Sequence, residues 1–159
     1  MLNVNIICVG SLKEKFFTDA VNEYKKRLSR YCKFNIIELT EEKITDQETQ
    51  AQIEKTLSKE GEKILSKIGK SDYVVAMCIE GKNISSEELS KKIEEISLSC
   101  GIVDFVIGGS WGLSENVKKR ADFKLSVSKM TFPHQLFRVM LSEQIYRAFT
   151  ISANAKYHK

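Results

Sequence analysis

The hydrophobic residues of this chain follow two patterns, and the two patterns alternate. Short apolar runs bounded by glycine or polar residues are typical of strands buried on both faces. The segments between them place apolar residues three and four positions apart, as on one face of a helix. The pattern predicts five strands, at Asn3–Val9, Phe34–Leu39, Tyr73–Ile79, Ile102–Ile107 and Phe123–Val127.

The predicted helices differ in how clearly they are marked. The first spans Lys13–Tyr31, and the second follows an acidic loop at Thr40–Glu48. Gly61 interrupts the second pattern and argues against one unbroken helix. The third opens on a capping box, Ser85–Glu88. The inner faces consist of Phe17, Ala20, Val21, Tyr24, Leu28 and Tyr31 in the first helix, Ile53, Leu57, Ile64 and Ile68 in the second, and Leu89, Ile93 and Ile96 in the third.

Strands that alternate with helices, and that are apolar on both faces, indicate an α/β fold with a mostly parallel sheet between helices. No linker, repeat or low-complexity tract divides the chain, so residues 1–159 are predicted to form one domain. A content of 42% hydrophobic and 29% charged residues is typical of a soluble globular protein.

The first ten residues lack the basic region of a signal peptide, and no apolar run is long enough to span a membrane. The four cysteines are scattered without a Cys-x-x-Cys pair. This favours buried, reduced thiols over a metal site or disulfides, and a cytoplasmic location.

The positive charge is concentrated late in the chain. From Arg120 onward there are seven Lys or Arg against two Asp or Glu, while the preceding part holds eighteen against nineteen. The late segment also contains both histidines and six of the thirteen Phe and Tyr residues. A basic, aromatic-rich segment indicates an anionic partner, with RNA foremost, although a solvated helix face explains the charge about as well.

One loop is rich enough in glycine to predict close approach of the backbone to a ligand. It reads Gly108-Gly-Ser-Trp-Gly112 and follows the fourth strand, where an α/β sheet normally binds ligands. It is not a Walker A loop, because no Gly-Lys-Ser/Thr follows. It also lacks the order and the acidic partner of the dinucleotide fingerprint. A tight turn onto a helix starting near Ser114 explains it nearly as well.

A second candidate loop, Ser126–Thr131, offers hydroxyl groups and backbone amides. Thr131 or Phe132 is predicted to cap the last helix, with Pro133 in its first turn. His134 then lies at the helix start, and Arg138 follows one turn later on the same face. Glu143 and Arg147 are spaced to form a surface pair, and the chain ends in a basic aromatic tail.

With these motifs, the chain resembles the RlmH family of the SPOUT methyltransferases over essentially its full length. The matching segments are Ile6–Lys15, Glu23–Leu28, Phe105–Leu113, Ser126–Gln135, Arg138, Glu143–Ala148 and Tyr157–Lys159. The resemblance implies a C-terminal trefoil knot, a homodimer and methylation of N3 of a pseudouridine in helix 69 of 23S rRNA, on ribosomes.

The resemblance also implies S-adenosylmethionine as methyl donor and no metal. By position, the residues that hold this cofactor are Met77, Gly108, Val127, Ser128, Lys129, Met130, Thr131 and Phe132. Met77 replaces a leucine common in the family, a swap that conserves volume. Trp111 occupies a position that is often small or polar there, and either stacks on a base or fills a dimer contact.

Methyl transfer to N3 requires the imide proton to leave, so a base or a cation that stabilises the anion helps. The candidate catalytic residues are Tyr157, His158, Arg138 and His134, with the tail folding over the site. Two other functions fit less well. A non-catalytic RNA- or ribosome-binding protein of this fold needs no intact cofactor loop, and a nucleotide-dependent oxidoreductase needs the dinucleotide fingerprint that is missing.

Overall fold

A computed structural model of the chain describes residues 1–44 and 48–157. Within them, strands and helices alternate as the sequence predicts. The strands are β1 (Asn3–Val9), β2 (Lys33–Leu39), β3 (Tyr73–Lys82), β4 (Ile102–Ile107) and β5 (Phe123–Leu125). The helices are α1 (Lys15–Leu28), α2 (Gln50–Leu65), α3 (Ser86–Ser99), α4 (Glu115–Arg120) and α5 (His134–Ser152).

The five strands form one sheet in the order β2-β1-β4-β3-β5, and every neighbouring pair is parallel. This confirms the predicted α/β fold. Two strand ends differ from the prediction, because β3 continues to Lys82 and β5 stops at Leu125. Gly81 explains the difference: a β-carbon there would stand only 2.5 Å from the Leu125 carbonyl carbon, so glycine lets the two strands stay in contact across a register shift.

Side chains of each central strand alternate between the two faces of the sheet. Val4, Ile6 and Cys8 of β1 pack on the side of α1, α3 and α5, while Ile7 and Val9 pack on the side of α2 and α4. Parallel strands covered by helices on both faces produce the continuous apolar runs seen in the sequence. None of the helices within residues 1–44 and 48–157 is long and apolar enough to cross a membrane.

The predicted inner face of α2 was partly wrong. Ile64 is buried, but Ile53 and Leu57 are only half-buried, and Thr56, Glu60 and Gly61 are buried with Ile64 instead. Gly61 does not break the helix. A β-carbon there would overlap the hydroxyl of Ser114, so glycine allows α2 to approach the start of α4 closely.

The helix starts agree with the prediction at α3 and differ at α5. Ser85 and Glu88 form both hydrogen bonds of the predicted capping box. At α5, however, Pro133 is the residue that precedes the helix, and no side chain caps it, so the prediction of a Thr131 or Phe132 cap was wrong. Thr131 and Phe132 line a pocket instead, which leaves the first amides of α5 without a side-chain acceptor.

One carboxylate lies inside the sheet, at Asp104 of β4. It is fully buried and accepts one hydrogen bond of 2.8 Å from the Asn5 amide, while its second oxygen has no partner among the described residues. Burial is the main cause that raises the pKa of Asp104 from 3.8 to about 6, and the nearby Asp72 carboxylate adds to it. The ionised form is therefore disfavoured in the folded protein.

The Asp104→Asn variant is expected to be more stable than the parent at pH 8 and equally stable near pH 4. An acid whose pKa is raised on folding contributes stability below its unfolded pKa and loses it as the pH rises through about 6. The gain at pH 8 should reach about 1 to 3 kcal/mol, since each pKa unit corresponds to about 1.4 kcal/mol. Urea unfolding at both pH values measures it.

The exposed Asp19, which pairs with Lys15 on α1, provides the control, and its asparagine variant should show no such gain at pH 8. An equal stability gain for Asp104→Asn at both pH values would show that the buried charge is not the cause.

Candidate functional site

Two loops and the second half of β3 meet at one edge of the sheet because the strands are in register. Met77 of β3 lies beside Ile107 of β4 and beside Leu125 of β5. Since all three strands are parallel, the segments that follow these residues leave the sheet at the same carboxyl edge. The glycine loop Gly108–Gly112 and the segment Ser126–Phe132 are thereby brought together.

These loops enclose a cavity of about 250 Å³ that opens to solvent. Its floor is apolar and its upper walls are loop backbone, hydroxyl groups and one imidazole, which is the usual composition of a small-molecule pocket. The lining residues are Met77, Cys78, Ile79, Ile107, Gly108, Gly109, Ser110, Gly112, Leu125, Ser126, Val127, Ser128, Met130, Thr131, Phe132, His134 and Phe137.

The glycine loop is a turn closed on itself. The Gly112 amide donates to the Gly109 carbonyl at 3.0 Å, and Gly112 adopts a left-handed φ of +82°. A β-carbon on Gly108 would overlap the carbonyl group of Gly112, whose position the turn fixes. Only glycine at position 108 therefore allows the loop to close at the pocket wall.

A buried carboxylate supports the loop from below. Glu60 of α2 is 3% exposed, and the place of a β-carbon on Gly109 lies 3.0 and 3.3 Å from its two oxygens. One oxygen accepts the Glu42 amide at 3.1 Å, and the other has no partner among the described residues. Burial raises the pKa of Glu60. Glu41 accepts the Ser110 hydroxyl, so the segment after β2 contacts both the loop and α2.

The segment from Ser126 to Phe132 is folded by its own side chains rather than by a helix or strand. The Ser126 hydroxyl donates to the Ser128 carbonyl, and the Ser128 hydroxyl accepts the Met130 amide, both at 2.9 Å. Asn83 fixes the segment from outside by donating to the Ser126 carbonyl at 2.7 Å. In the described part of the chain, the backbone amides of Val127, Ser128, Lys129, Thr131 and Phe132 make no hydrogen bond.

Most of the residues predicted to hold a cofactor line this one cavity. Lys129 does not, because its side chain points to solvent. His134 is half-buried at the cavity wall, as expected for a residue at the start of α5. The predicted residues that line the cavity are Met77, Gly108, Val127, Ser128, Met130, Thr131, Phe132 and His134.

Arg138 differs from the sequence interpretation. It is 1% exposed and does not line the cavity. Its guanidinium donates to the Val9 and Gly10 carbonyls at 3.0 and 2.8 Å, and to Glu38 at 3.3 Å. Arg138 does lie one turn after His134 on α5, but the turn after β1 occupies its guanidinium inside the protein. Arg138 is not available to orient a base or a phosphate in this arrangement.

Tyr157 of the tail packs against the side of α5 and does not line the cavity. Its hydroxyl donates to Glu143 at 3.1 Å, and its ring contacts Tyr146 edge-on with centroids 4.8 Å apart. Burial, followed by the Glu143 charge, raises the pKa of Tyr157 to about 12. The phenol thus remains protonated at neutral pH and acts as a donor. His158, the other predicted tail residue, lies outside the described residues.

The sequence interpretation missed several residues of the site. Cys78 and Ile79, which follow Met77, line the cavity, and so does Phe137. The parallel arrangement of the strands was the available signal, since it places the second half of β3, after Met77, at the same edge as the two loops. Glu143 was interpreted as half of a surface pair. It does bind Arg147, at 2.6 Å, but it also accepts the Tyr157 hydroxyl. Trp111 is 39% exposed and lines no part of the cavity.

The four cysteines carry no disulfide, and Cys8 and Cys32 are buried in the core. Burial raises the pKa of the Cys8 thiol to about 11 and that of Cys32 to about 12, so both are unreactive. Among the residues described, no group of three or more His, Cys, Asp or Glu side chains is arranged to hold a metal ion.

Comparisons with known proteins agree with this geometry. A family model described as "Predicted SPOUT methyltransferase" matches residues 2–158. The "Ribosomal RNA large subunit methyltransferase H" of Clostridium acetobutylicum is 55% identical in sequence, in an alignment that covers 99% of this chain and 100% of that protein. The protein of the same name from Leuconostoc mesenteroides is 48% identical over the same shares.

A solved structure extends the comparison at the level of the fold. A probable methylase family protein from Haemophilus influenzae superposes with a TM-score of 0.57 and 14% identity, covering 98% of this chain and 70% of that one. At this identity the match concerns the α/β architecture alone.

Proposed function

Since the chain belongs to the SPOUT methyltransferase family, we propose that it transfers a methyl group from S-adenosylmethionine to N3 of a pseudouridine in helix 69 of 23S rRNA. It is an rRNA methyltransferase, as are relatives that match it over their full length. The observation that carries the proposal for this chain is the pocket at the carboxyl edge, where the glycine loop and Ser126–Phe132 meet. Assembled ribosomes are the proposed substrate.

The residues of the pocket suit S-adenosylmethionine in three ways. Met77, Ile107 and Leu125 form an apolar floor for an adenine ring. The free amides of Val127, Ser128, Lys129, Thr131 and Phe132 supply donors for its ring nitrogens, and Gly108 allows close approach of the loop. The uncapped start of α5 adds donors and a positive dipole end suited to a carboxylate. A cavity of about 250 Å³ that opens to solvent leaves the methyl group accessible to a second molecule.

When bound, this cofactor supplies a methyl group already activated on a sulfonium. The protein then has to align the methyl with N3 and remove the N3 proton. His134 is the imidazole at the pocket wall and is proposed as the group that accepts or relays this proton. Tyr157 and His158 of the tail are proposed to position the target base, and the Tyr157 hydroxyl, which donates to Glu143 in this structure, would exchange that acceptor for the base. Lys129 is proposed to contact the cofactor or the RNA from the exposed side of its loop.

Four further properties are proposed: one domain over residues 1–159 and a cytoplasmic location from the sequence, and a trefoil knot that includes the loops of the site and a homodimer from the resemblance. In the dimer, one subunit holds the cofactor while its partner helps to hold the RNA. Because the target lies in folded RNA, we expect the base to be turned out into the pocket. A monomer with full activity in sedimentation-controlled assays would contradict the dimer.

Mass spectrometry of rRNA tests the proposed function directly. Ribosomes from a strain that lacks this gene are incubated with the protein and isotope-labelled S-adenosylmethionine, and the rRNA is digested and sequenced by mass. One label on a pseudouridine of helix 69 is the expected result. The label on another nucleotide would change the substrate, and no label together with no heat of cofactor binding in calorimetry would reject the proposal.

The same assay with a chain that ends at Lys156 tests the tail. With cofactor and ribosomes saturating, its single-turnover rate is expected to fall at least about 100-fold, the order of effect of losing a positioned catalytic group. Calorimetry serves as the control, since cofactor affinity should be unchanged. An unchanged single-turnover rate would contradict the proposed role of Tyr157 and His158.

A further inference from the structure

A second concave surface lies on the outer side of α1, away from the cofactor pocket. It is a shallow cavity of about 260 Å³ lined by Glu23, Lys26, Arg27, Arg30 and Tyr146. We call it the α1 basic patch. None of its lining residues belongs to the glycine loop or to Ser126–Phe132. Tyr146 lies twelve residues after the start of α5, so the patch is about 18 Å along that helix from the pocket wall.

The patch has a positive charge that the protein does not neutralise. Three basic side chains face one acidic side chain, Glu23, which holds Arg27 at 2.8 Å. Lys26 and Arg30 are exposed and, within the described part of the chain, their side chains form neither a hydrogen bond nor an ion pair. Lys26 lies in the last turn of α1 and Arg30 in the turn that follows the helix, and both line the same cavity. They are free to bind an anion without giving up an internal contact.

Aromatic rings connect the patch to the C-terminal tail. The Arg27 guanidinium lies 5.7 Å from the centre of the Tyr24 ring and 5.8 Å from that of Tyr146. Tyr146 in turn contacts the ring of Tyr157, and the Arg147 guanidinium lies 5.0 Å from the centre of that ring. Arg27 and these aromatic residues thus form a continuous surface from the free cations to the proposed catalytic tail.

We propose that the α1 basic patch binds the phosphate backbone of the rRNA beside the target nucleotide, an inference that rests on the proposed rRNA methyltransferase function. RNA binding requires cations for the phosphates and flat side chains for exposed bases, and this surface presents both. The motif Glu23–Leu28 then has a role: Leu28 packs in the core, Glu23 and Tyr24 hold Arg27, and Lys26 faces the RNA.

The test is the double variant Lys26→Gln/Arg30→Gln, assayed with ribosomes from a strain that lacks this gene. The KM for ribosomes is expected to rise at least about tenfold at physiological salt, with kcat and the Kd for S-adenosylmethionine unchanged. The slope of log affinity against log salt should decrease by about 1.4 to 1.8, since each lost phosphate contact removes about 0.7 to 0.9.

The double variant Lys55→Gln/Lys91→Gln is the matched control. It removes the same charge from exposed positions on α2 and α3, and its KM and salt slope should equal those of the parent. Equal effects of the two double variants would show that only the net charge of the protein matters, and they would overturn the proposal. No effect of either variant would also overturn it.

Two further outcomes are distinct. Loss of a dimer in sedimentation by the Lys26→Gln/Arg30→Gln variant, with unchanged affinity per dimer, would assign the patch to a second copy of the chain and overturn the proposal. Failure of the parent protein to methylate rRNA would instead reject the proposed function, and the affinities of the parent and of both double variants for ribosomes, measured by co-sedimentation, would still decide whether the patch binds RNA.

Discussion

The Gly108→Ala variant is expected to lose S-adenosylmethionine binding by about 100-fold while remaining folded. The added methyl group would overlap the carbonyl of Gly112, and it would stand 3.0 Å from the Leu113 amide. Both contacts are with backbone, which cannot rotate away as a side chain can. Overpacking of this kind costs about 1 to 3 kcal/mol, and 2.7 kcal/mol corresponds to about 100-fold in affinity.

The effect should fall on binding because the closed turn is the part that forms the pocket wall. Relief of the overlap requires the Gly109–Gly112 hydrogen bond to open, and this moves the backbone that the cofactor approaches. Titration calorimetry gives the affinity, and urea unfolding gives the stability. Gly101→Ala is the matched control, since nothing lies within 4 Å of a β-carbon there and its affinity should not change. Unchanged affinity in Gly108→Ala would mean that this loop does not form the cofactor site.

The sequence predicted the fold well because the signals for it are local. Continuous apolar runs indicated parallel strands, and the structure has one parallel sheet with helices on both faces. The capping box at Ser85 was equally local and was confirmed. The inner face of α2 failed because it depends on a distant contact. Gly61 is buried against Ser114, which lies 53 positions later in the chain, and no periodicity within α2 signals that contact.

The site could be predicted from the sequence only to the extent that the arrangement of the strands could be. The two loops and Met77 meet because β3, β4 and β5 are neighbours in register. The supporting residues Glu60 and Glu143 were not predicted, since a glutamate on a helix usually faces solvent. Their roles come from tertiary contacts: Glu60 is buried under Gly109, and Glu143 accepts the hydroxyl of Tyr157 in the tail that follows α5. The positive charge of α1 was also missed, because the acidic residues before Arg120 cancel it in the net charge of that part of the chain.

The Arg138→Met variant is expected to lose about 3 kcal/mol of unfolding free energy. Methionine keeps much of the apolar stem but leaves the Val9 and Gly10 carbonyls without their donor. An unsatisfied buried acceptor costs about 1 to 3 kcal/mol, and the variant removes the guanidinium donor from both carbonyls. The Glu38 partner adds little, because its side chain is 41% exposed and water can replace the guanidinium. Urea unfolding measures the difference.

Glu38→Gln separates the two kinds of contact that Arg138 makes. It removes the ion pair but keeps both carbonyl bonds, and it should cost less than about 1 kcal/mol. If the two variants lost equal stability, the ion pair and not the carbonyls would be the main contact. The methylation assay then distinguishes support from catalysis. Well below its melting temperature, Arg138→Met should retain most of its single-turnover rate with saturating cofactor and ribosomes, because the guanidinium holds α5 to the turn after β1 and does not reach the pocket. A large loss of rate with full stability would return Arg138 to the role of orienting the RNA, and it would require the turn after β1 to release the side chain when substrate binds.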